Sequence, residues 1–111
     1  MEHERARALL REERVSVERL LAETLDAGRD DREQANQDGN MADPAERLTA
    51  EEADDAVSRG LRERLSAIER AEHRIDQGVY GFSVRSGLPL SDERLEADPA
   101  AELTVDEVRY S

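Results

Sequence analysis

Between residues 3 and 77 the large aliphatic side chains recur at steps of four and seven, with mostly glutamate, aspartate and arginine between them. That period points to long amphipathic helices. Ala6, Leu10, Val17, Leu21 and Leu25 mark one face of a first helix over residues 3–36. Val57, Leu61, Leu65, Ile68 and Ile75, with Ala71 in the gap, mark one face of a second. Aromatics are 3% of the chain and charged residues 40%, so no large compact core is available to cover these stripes. They must face each other.

The punctuation fits a hairpin. Gly28-Arg29-Asp30-Asp31 should weaken the first helix, and Asn36-Gln37-Asp38-Gly39-Asn40 reads as a turn. Asp43-Pro44-Ala45-Glu46 offers an N-cap, a first helical position and a reciprocal cap in order. Thr49-Ala50-Glu51-Glu52 is a competing start, which leaves room for a kink. The second helix should run to about residue 77, with Gly60 inside it costing roughly 1 kcal/mol relative to alanine. Two such helices, each about 50 Å long, form an antiparallel pair. Folding them about residues 40–41 sets Leu25 against Val57, Leu21 against Leu61 and Val17 against Leu65. From residue 26 to 56 the large aliphatics are only Met41 and Leu48, so alanines at 27, 35, 45, 53 and 56 supply most of that seam. The outer half is then either a thin probe or a frayed end.

Residues 78–111 read differently. Gly78 is a helix stop. Residues 79–83 have strand-like composition, Ser86-Gly87 closes a tight turn, and Leu88-Pro89-Leu90 is the returning arm. Ser91-Asp92-Glu93 opens a short helix through Ala97, which Asp98-Pro99 breaks. Thr104-x-x-Glu107 has capping-box spacing and begins a last turn or helix. Val79, Tyr80, Phe82, Leu88, Leu90, Leu95, Leu103, Val105 and Val108 are the available apolar cluster.

Composition excludes several function classes. A net charge of −12 argues against a protein that tracks phosphates, and no direct nucleic-acid binding is expected. The chain has no cysteine, which rules out disulfides and thiolate metal sites. No apolar run approaches the ~20 residues of a membrane span. The opening MEHERARALLREER lacks the apolar centre of a secretion signal, so a cytoplasmic location is expected. All 16 basic residues are arginine. His73 sits between Glu72 and Arg74 on a charged helix and reads as solvated, and His3 lies in an end expected to fray. There is no nucleophile motif and no glycine-rich phosphate loop, so no enzyme is expected.

One run is specific. Arg74-Ile75-Asp76-x-Gly78-x-Tyr80-Gly81-x-Ser83-x-x-Ser86-Gly87-x-x-Leu90-x-x-x-Arg94-Leu95-x-x-x-Pro99 resembles, without a gap, the RIE-x-G-x-YG-x-C-x-x-C-G-x-x-I-x-x-x-RL-x-x-x-P run of the DksA/TraR family. Members of that family bind in the secondary channel of bacterial RNA polymerase. The resemblance implies a mainly α fold: a long antiparallel coiled-coil helical hairpin over residues 1–77, with its tip near 36–46, and a small zinc-finger-like globular end with a short C-terminal helix over 78–111. Family members hold one zinc ion with two Cys-x-x-Cys pairs. Those positions fall here on Ser83, Ser86, Thr104 and Glu107; the three neutral hydroxyls are poor zinc ligands, and one carboxylate cannot rescue a site that wants thiolate or imidazole. A degenerate, metal-free end is therefore expected, held by packing and by a Thr104–Glu107 cap, and no cofactor is expected.

The resemblance also implies a mechanism. The hairpin would enter the polymerase channel and present an acidic tip. The family's tip motif, Asp-x-x-Asp-x-Ala, falls on Asn40, Asp43 and Ala45, so one of its two carboxylates is lost. Between residues 36 and 46 the charges are Asp38, Asp43 and Glu46, all acidic. Asp43 can act as an N-cap, as the functional tip, or as both. Positions that help some members bind the alarmone ppGpp fall on Ala67, Asp98 and Val108, which carry no positive charge. The expected function is a monomeric regulator of transcription that acts without ppGpp. The alternative is an interaction module on the same scaffold that has lost the polymerase role.

Overall fold

The computed structural model describes the backbone of residues 1–38 and 44–110 and the side chains of residues 1–27 and 55–110. Four helices follow one another: α1 (His3–Asp38), α2 (Pro44–Asp76), α3 (Asp92–Ala97) and α4 (Val105–Arg109). No strand forms among the described residues. The helical period thus dominates the chain, as its aliphatic spacing requires. α1 continues through Gly28, where weakening was expected, and ends at Asp38. α2 starts at Pro44 and not at Thr49. The expected N-cap at Asp43 lies outside the described residues.

The chain divides into two compact units, Met1–Val15 with Leu65–Ser111, and Ser16–Arg64. In the first, the opening turns of α1 pack on the closing turns of α2. Ala6, Leu10, Ile68, Ala71 and Ile75 are buried there. The direction is antiparallel, because Arg7 pairs with Asp76 at 2.7 Å while Arg14, two turns later, pairs with Glu72 and lies 3.8 Å from Glu69.

In the second unit the stripe differs from the one expected. Ser58 is 6% exposed and Val57 is 51% exposed. Leu25 also faces outward, so the expected Leu25–Val57 pairing does not form a buried contact. The reason is register. Stepping back by three from Leu61 reaches Ser58, and stepping on by seven from Val17 reaches half-buried Thr24. A stripe spaced by alternating threes and fours keeps that face, whereas repeated steps of four drift off it. Thr24 satisfies its hydroxyl by donating to the Leu20 carbonyl at 2.8 Å.

α2 ends as its sequence predicts. Gly78 takes φ +75°, its N–H bonds the Ile75 carbonyl at 3.1 Å, and the Val79 N–H bonds the Arg74 carbonyl at 3.0 Å. These paired bonds form the six-to-one and five-to-two closure of a Schellman motif. The expected strand over 79–83 shrinks to an isolated antiparallel bridge between Phe82 and Pro89. Bonds flank it on both sides, from Ser83 N–H to the Leu88 carbonyl and from Leu90 N–H to the Gly81 carbonyl, each 2.8 Å. Proline is tolerated there because the bridge position needs no inward N–H.

The expected apolar cluster is only partly a core. Tyr80, Leu90 and Leu95 are buried, but Val79, Phe82, Leu88, Val105 and Val108 are between 47% and 57% exposed. Packing alone therefore does not hold this end. Tyr80 is fixed at both ends. Its hydroxyl donates to the Pro99 carbonyl at 2.8 Å, and its ring meets His3 edge-on with centroids 6.4 Å apart. His3 thus begins α1 in a defined contact, where a frayed end was expected. Ser91 caps α3 by accepting from the Arg94 N–H at 3.2 Å.

Candidate functional site

Three sets of residues carry the functional expectations. The first, Asn40 and Asp43 with the side chain of Ala45, lies outside the described residues. The second is Ser83, Ser86, Thr104 and Glu107. Nothing in simple periodicity brings these four together, yet the fold does. The turn after the Phe82 bridge presents Ser83 and Ser86. The 102–104 segment reaches the same loop when the Val84 N–H bonds the Glu102 carbonyl at 2.9 Å. α4 then starts at Thr104 and turns Glu107 back toward it.

The four positions form one hydrogen-bonded cluster. Ser83 Oγ donates to Glu107 Oε2 at 2.9 Å, and Ser86 Oγ donates to Glu107 Oε1 at 3.2 Å. The Thr104 N–H donates to the same Oε1 at 3.1 Å, and Thr104 Oγ1 accepts from the Glu107 N–H at 3.1 Å. The last two bonds are the capping box read from the sequence. The direct links from Glu107 to both serines were missed. Their signal was available: a carboxylate needs donors, and two hydroxyls occupied the matching pair.

These bonds set the charge state of Glu107. Burial pushes its carboxyl upward, but hydrogen bonds from Ser83, Thr104 and Ser86 outweigh it and hold the group below the usual carboxylate range. Ionised, the carboxylate accepts only, which matches the donors around it.

Zinc is what the resemblance implies here, and this donor set does not fit it. Three of the four ligands would be neutral hydroxyls, and a closed structural site takes thiolate or imidazole. Ser83 makes the mismatch concrete. Its Oγ accepts from the Arg85 and Ser86 N–H groups, both at 3.1 Å, and its own O–H donates a hydrogen bond to Glu107. No lone pair is left for a cation. Among the described residues no group of three or more His, Cys, Asp or Glu is placed to hold a metal.

The third set is basic. Arg70 and Arg74 stand one turn apart on α2, and both reach Glu102, at 2.7 Å and 3.6 Å. Arg94 Nε donates to the Leu103 carbonyl at 2.7 Å. An open cleft of about 490 Å³ beside them is lined by Ser66, Glu69, Arg70, His73, Arg74, Val84 and Glu102. Its arginines and glutamates offset one another. Ala67 and Asp98 are half-buried and Val108 is exposed, and Asp98 Oδ1 accepts from the Ala100 N–H at 3.2 Å. Glu102 was not foreseen. The i, i+4 arginine pair facing a lone loop acid was its signal.

Comparison with known proteins places this geometry. No protein-family model matches the chain. It is 33% identical over 102 residues to the RNA polymerase-binding transcription factor DksA of Caulobacter vibrioides, covering 88% of this chain and 61% of that protein. It is 36% identical over 69 residues to the general stress protein 16O of Bacillus subtilis, covering 62% of this chain and 42% of that protein. The chain thus spans less than two thirds of the length of either relative. Its fold is similar to that of transcription factor DksA2 from Pseudomonas aeruginosa, with a TM-score of 0.81 and 22% identity over 97% of this chain and 81% of that one. None of the helices among the described residues is long and apolar enough to cross a membrane.

Proposed function

The chain belongs to the DksA/TraR family, and on that premise we propose that it is a non-enzymatic regulator of transcription that binds bacterial RNA polymerase. Residues 1–77 act as an antiparallel coiled-coil hairpin that enters the secondary channel, and residues 78–111 act as its mount, a zinc-finger-like end without the zinc. The tip near 36–46 presents Asn40, Asp43 and Ala45, with Asp43 as the carboxylate that disturbs the polymerase centre. The protein works as a monomer, in the cytoplasm, without contacting nucleic acid directly.

The observation that carries this reading is the 33% identity to a protein named for polymerase binding, spread over 88% of the chain. The convergence of Ser83, Ser86, Thr104 and Glu107 supports the same register, because those positions came from an ungapped alignment with the family motif. Independence from ppGpp follows from charge. Ala67, Asp98 and Val108 offer no cation, and Arg70 and Arg94 beside them are engaged by Glu102 and the Leu103 carbonyl.

The test uses core polymerase from the same organism. Binding at micromolar concentration, with a change in initiation that Asp43→Asn abolishes, is the expected result. No binding would leave the scaffold as an interaction module that has lost the polymerase role, consistent with Asn40 replacing the first tip carboxylate. Tighter binding on addition of ppGpp would contradict the charge argument.

A further inference from the structure

The apolar cluster of the 78–110 end is too exposed to close that end by itself; its loop meets the 102–104 segment through the Val84–Glu102 bond and meets α4 at a further point. That point is the Glu107 carboxylate. Three donors from two segments converge on it: the hydroxyls of Ser83 and Ser86 and the N–H of Thr104. Ser83 is buried, and all of its hydrogen-bonding capacity is used. Ser86 is also used in both senses, since its Oγ accepts from the Leu88 N–H at 3.3 Å while it donates to Glu107.

We infer that the Glu107 carboxylate does the structural work of the absent metal with the signs reversed: an anion at the hub with donors pointing inward, in place of a cation with acceptors pointing inward. Two consequences follow. The end folds without metal, because its crosslink is already complete. It also refuses metal, because a cation entering the centre would meet two hydroxyl protons and would have to strip Glu107 from three donors. This holds whether or not the partner is the polymerase.

The experiment uses the full chain in four forms: wild type, Glu107→Gln, Glu107→Ala, and a variant with cysteine at 83, 86, 104 and 107 together. Elemental analysis, thermal unfolding with and without a strong chelator, amide hydrogen exchange and cobalt absorption are the readouts. Wild type should hold less than a tenth of an equivalent of zinc, on the order of background. Its melting temperature should not move with chelator or added zinc. Glu107→Gln keeps an acceptor but turns an NH2 toward at least one donor, so exchange at Arg85, Ser86 and Thr104 should rise about tenfold. Glu107→Ala should raise it further. The four-cysteine variant should bind one cobalt ion with the thiolate absorption of a tetrahedral site, since the four positions already converge. One tightly held zinc in wild type, or a melting temperature lowered by chelator, would overturn the inference. So would unchanged loop exchange in both Glu107 variants, or a four-cysteine chain that takes up no cobalt. Should Glu107→Ala fail to fold, the Glu107→Gln exchange pattern decides.

Discussion

Tyr80 should ionise late, and its ionisation should loosen the fold. The buried hydroxyl donates to the Pro99 carbonyl at 2.8 Å, so a phenolate would lose that bond and face a carbonyl oxygen. Burial, with Asp98 and Glu96 adding to it against an opposing Arg74, pushes the hydroxyl up to about 12. The sign follows from linkage. A group raised in the folded state adds stability that is whole below its unfolded value near 10 and drains away as pH climbs toward 12. At roughly 1.36 kcal/mol per unit, two units give at most about 2.7 kcal/mol, and solvent screening discounts that to about 1–2 kcal/mol. Melting temperature should therefore fall by roughly 5–10 °C between about pH 9 and 12. The chain suits the assay because it contains no lysine or cysteine to titrate in that window and only one other tyrosine, Tyr110. In a Tyr110→Phe background, tyrosinate absorbance reports Tyr80 alone. Tyr80→Phe should flatten the alkaline loss, at a cost of about 1 kcal/mol near neutrality from the stranded Pro99 carbonyl. A Tyr80 that ionises near 10 in the folded chain would refute the reasoning, as would the same alkaline loss in Tyr80→Phe.

Other changes test separate parts of the structure. Glu107 is depressed in the folded state, so its contribution is present above the usual carboxylate range and lost as pH falls through its lowered value. Carboxyl carbon resonances should show it titrating below the chain's exposed glutamates. Gly60→Ala should stabilise by about 1 kcal/mol, because α2 is helical there and an added methyl meets nothing within 4 Å. Gly78→Ala should cost about 1–2 kcal/mol although it too meets nothing, because φ is +75°. Denaturant midpoints distinguish the two glycines by sign. Arg74→Met should change stability by less than about 1 kcal/mol. Arg74 pairs with Glu102 only at 3.6 Å, its buried Nη2 meets no acceptor among the described residues, and Glu102 keeps Arg70.

What could be read from the chain in advance tracks how local the physics is. The span of α2, the Gly78 stop, the Ser91 and Thr104 caps and the break at Asp98-Pro99 all depend on a few adjacent residues, and all appear. Side-chain burial was legible only where the step was unambiguous. Leu61 can be reached from Val57 by four or from Ser58 by three, and chemistry favoured valine while the register of the pair chose serine. The strand over 79–83 failed because β-like composition needs a partner of matching length, and the returning arm is interrupted by Pro89. The family motif placed the four former ligand positions, but not what binds them. That took the rotation of α4, which sets Glu107 over the serines and which no spacing rule encodes.

The bridge at Pro89 has a consequence for crowded solutions. Its neighbours face inward to Ser83 and Gly81, so the side of this arm turned away from Phe82 is where a passing chain would look for an amide hydrogen. At Pro89 it finds a ring instead. Leu88 can therefore stay exposed on the returning arm without offering neighbouring copies a template on which to grow.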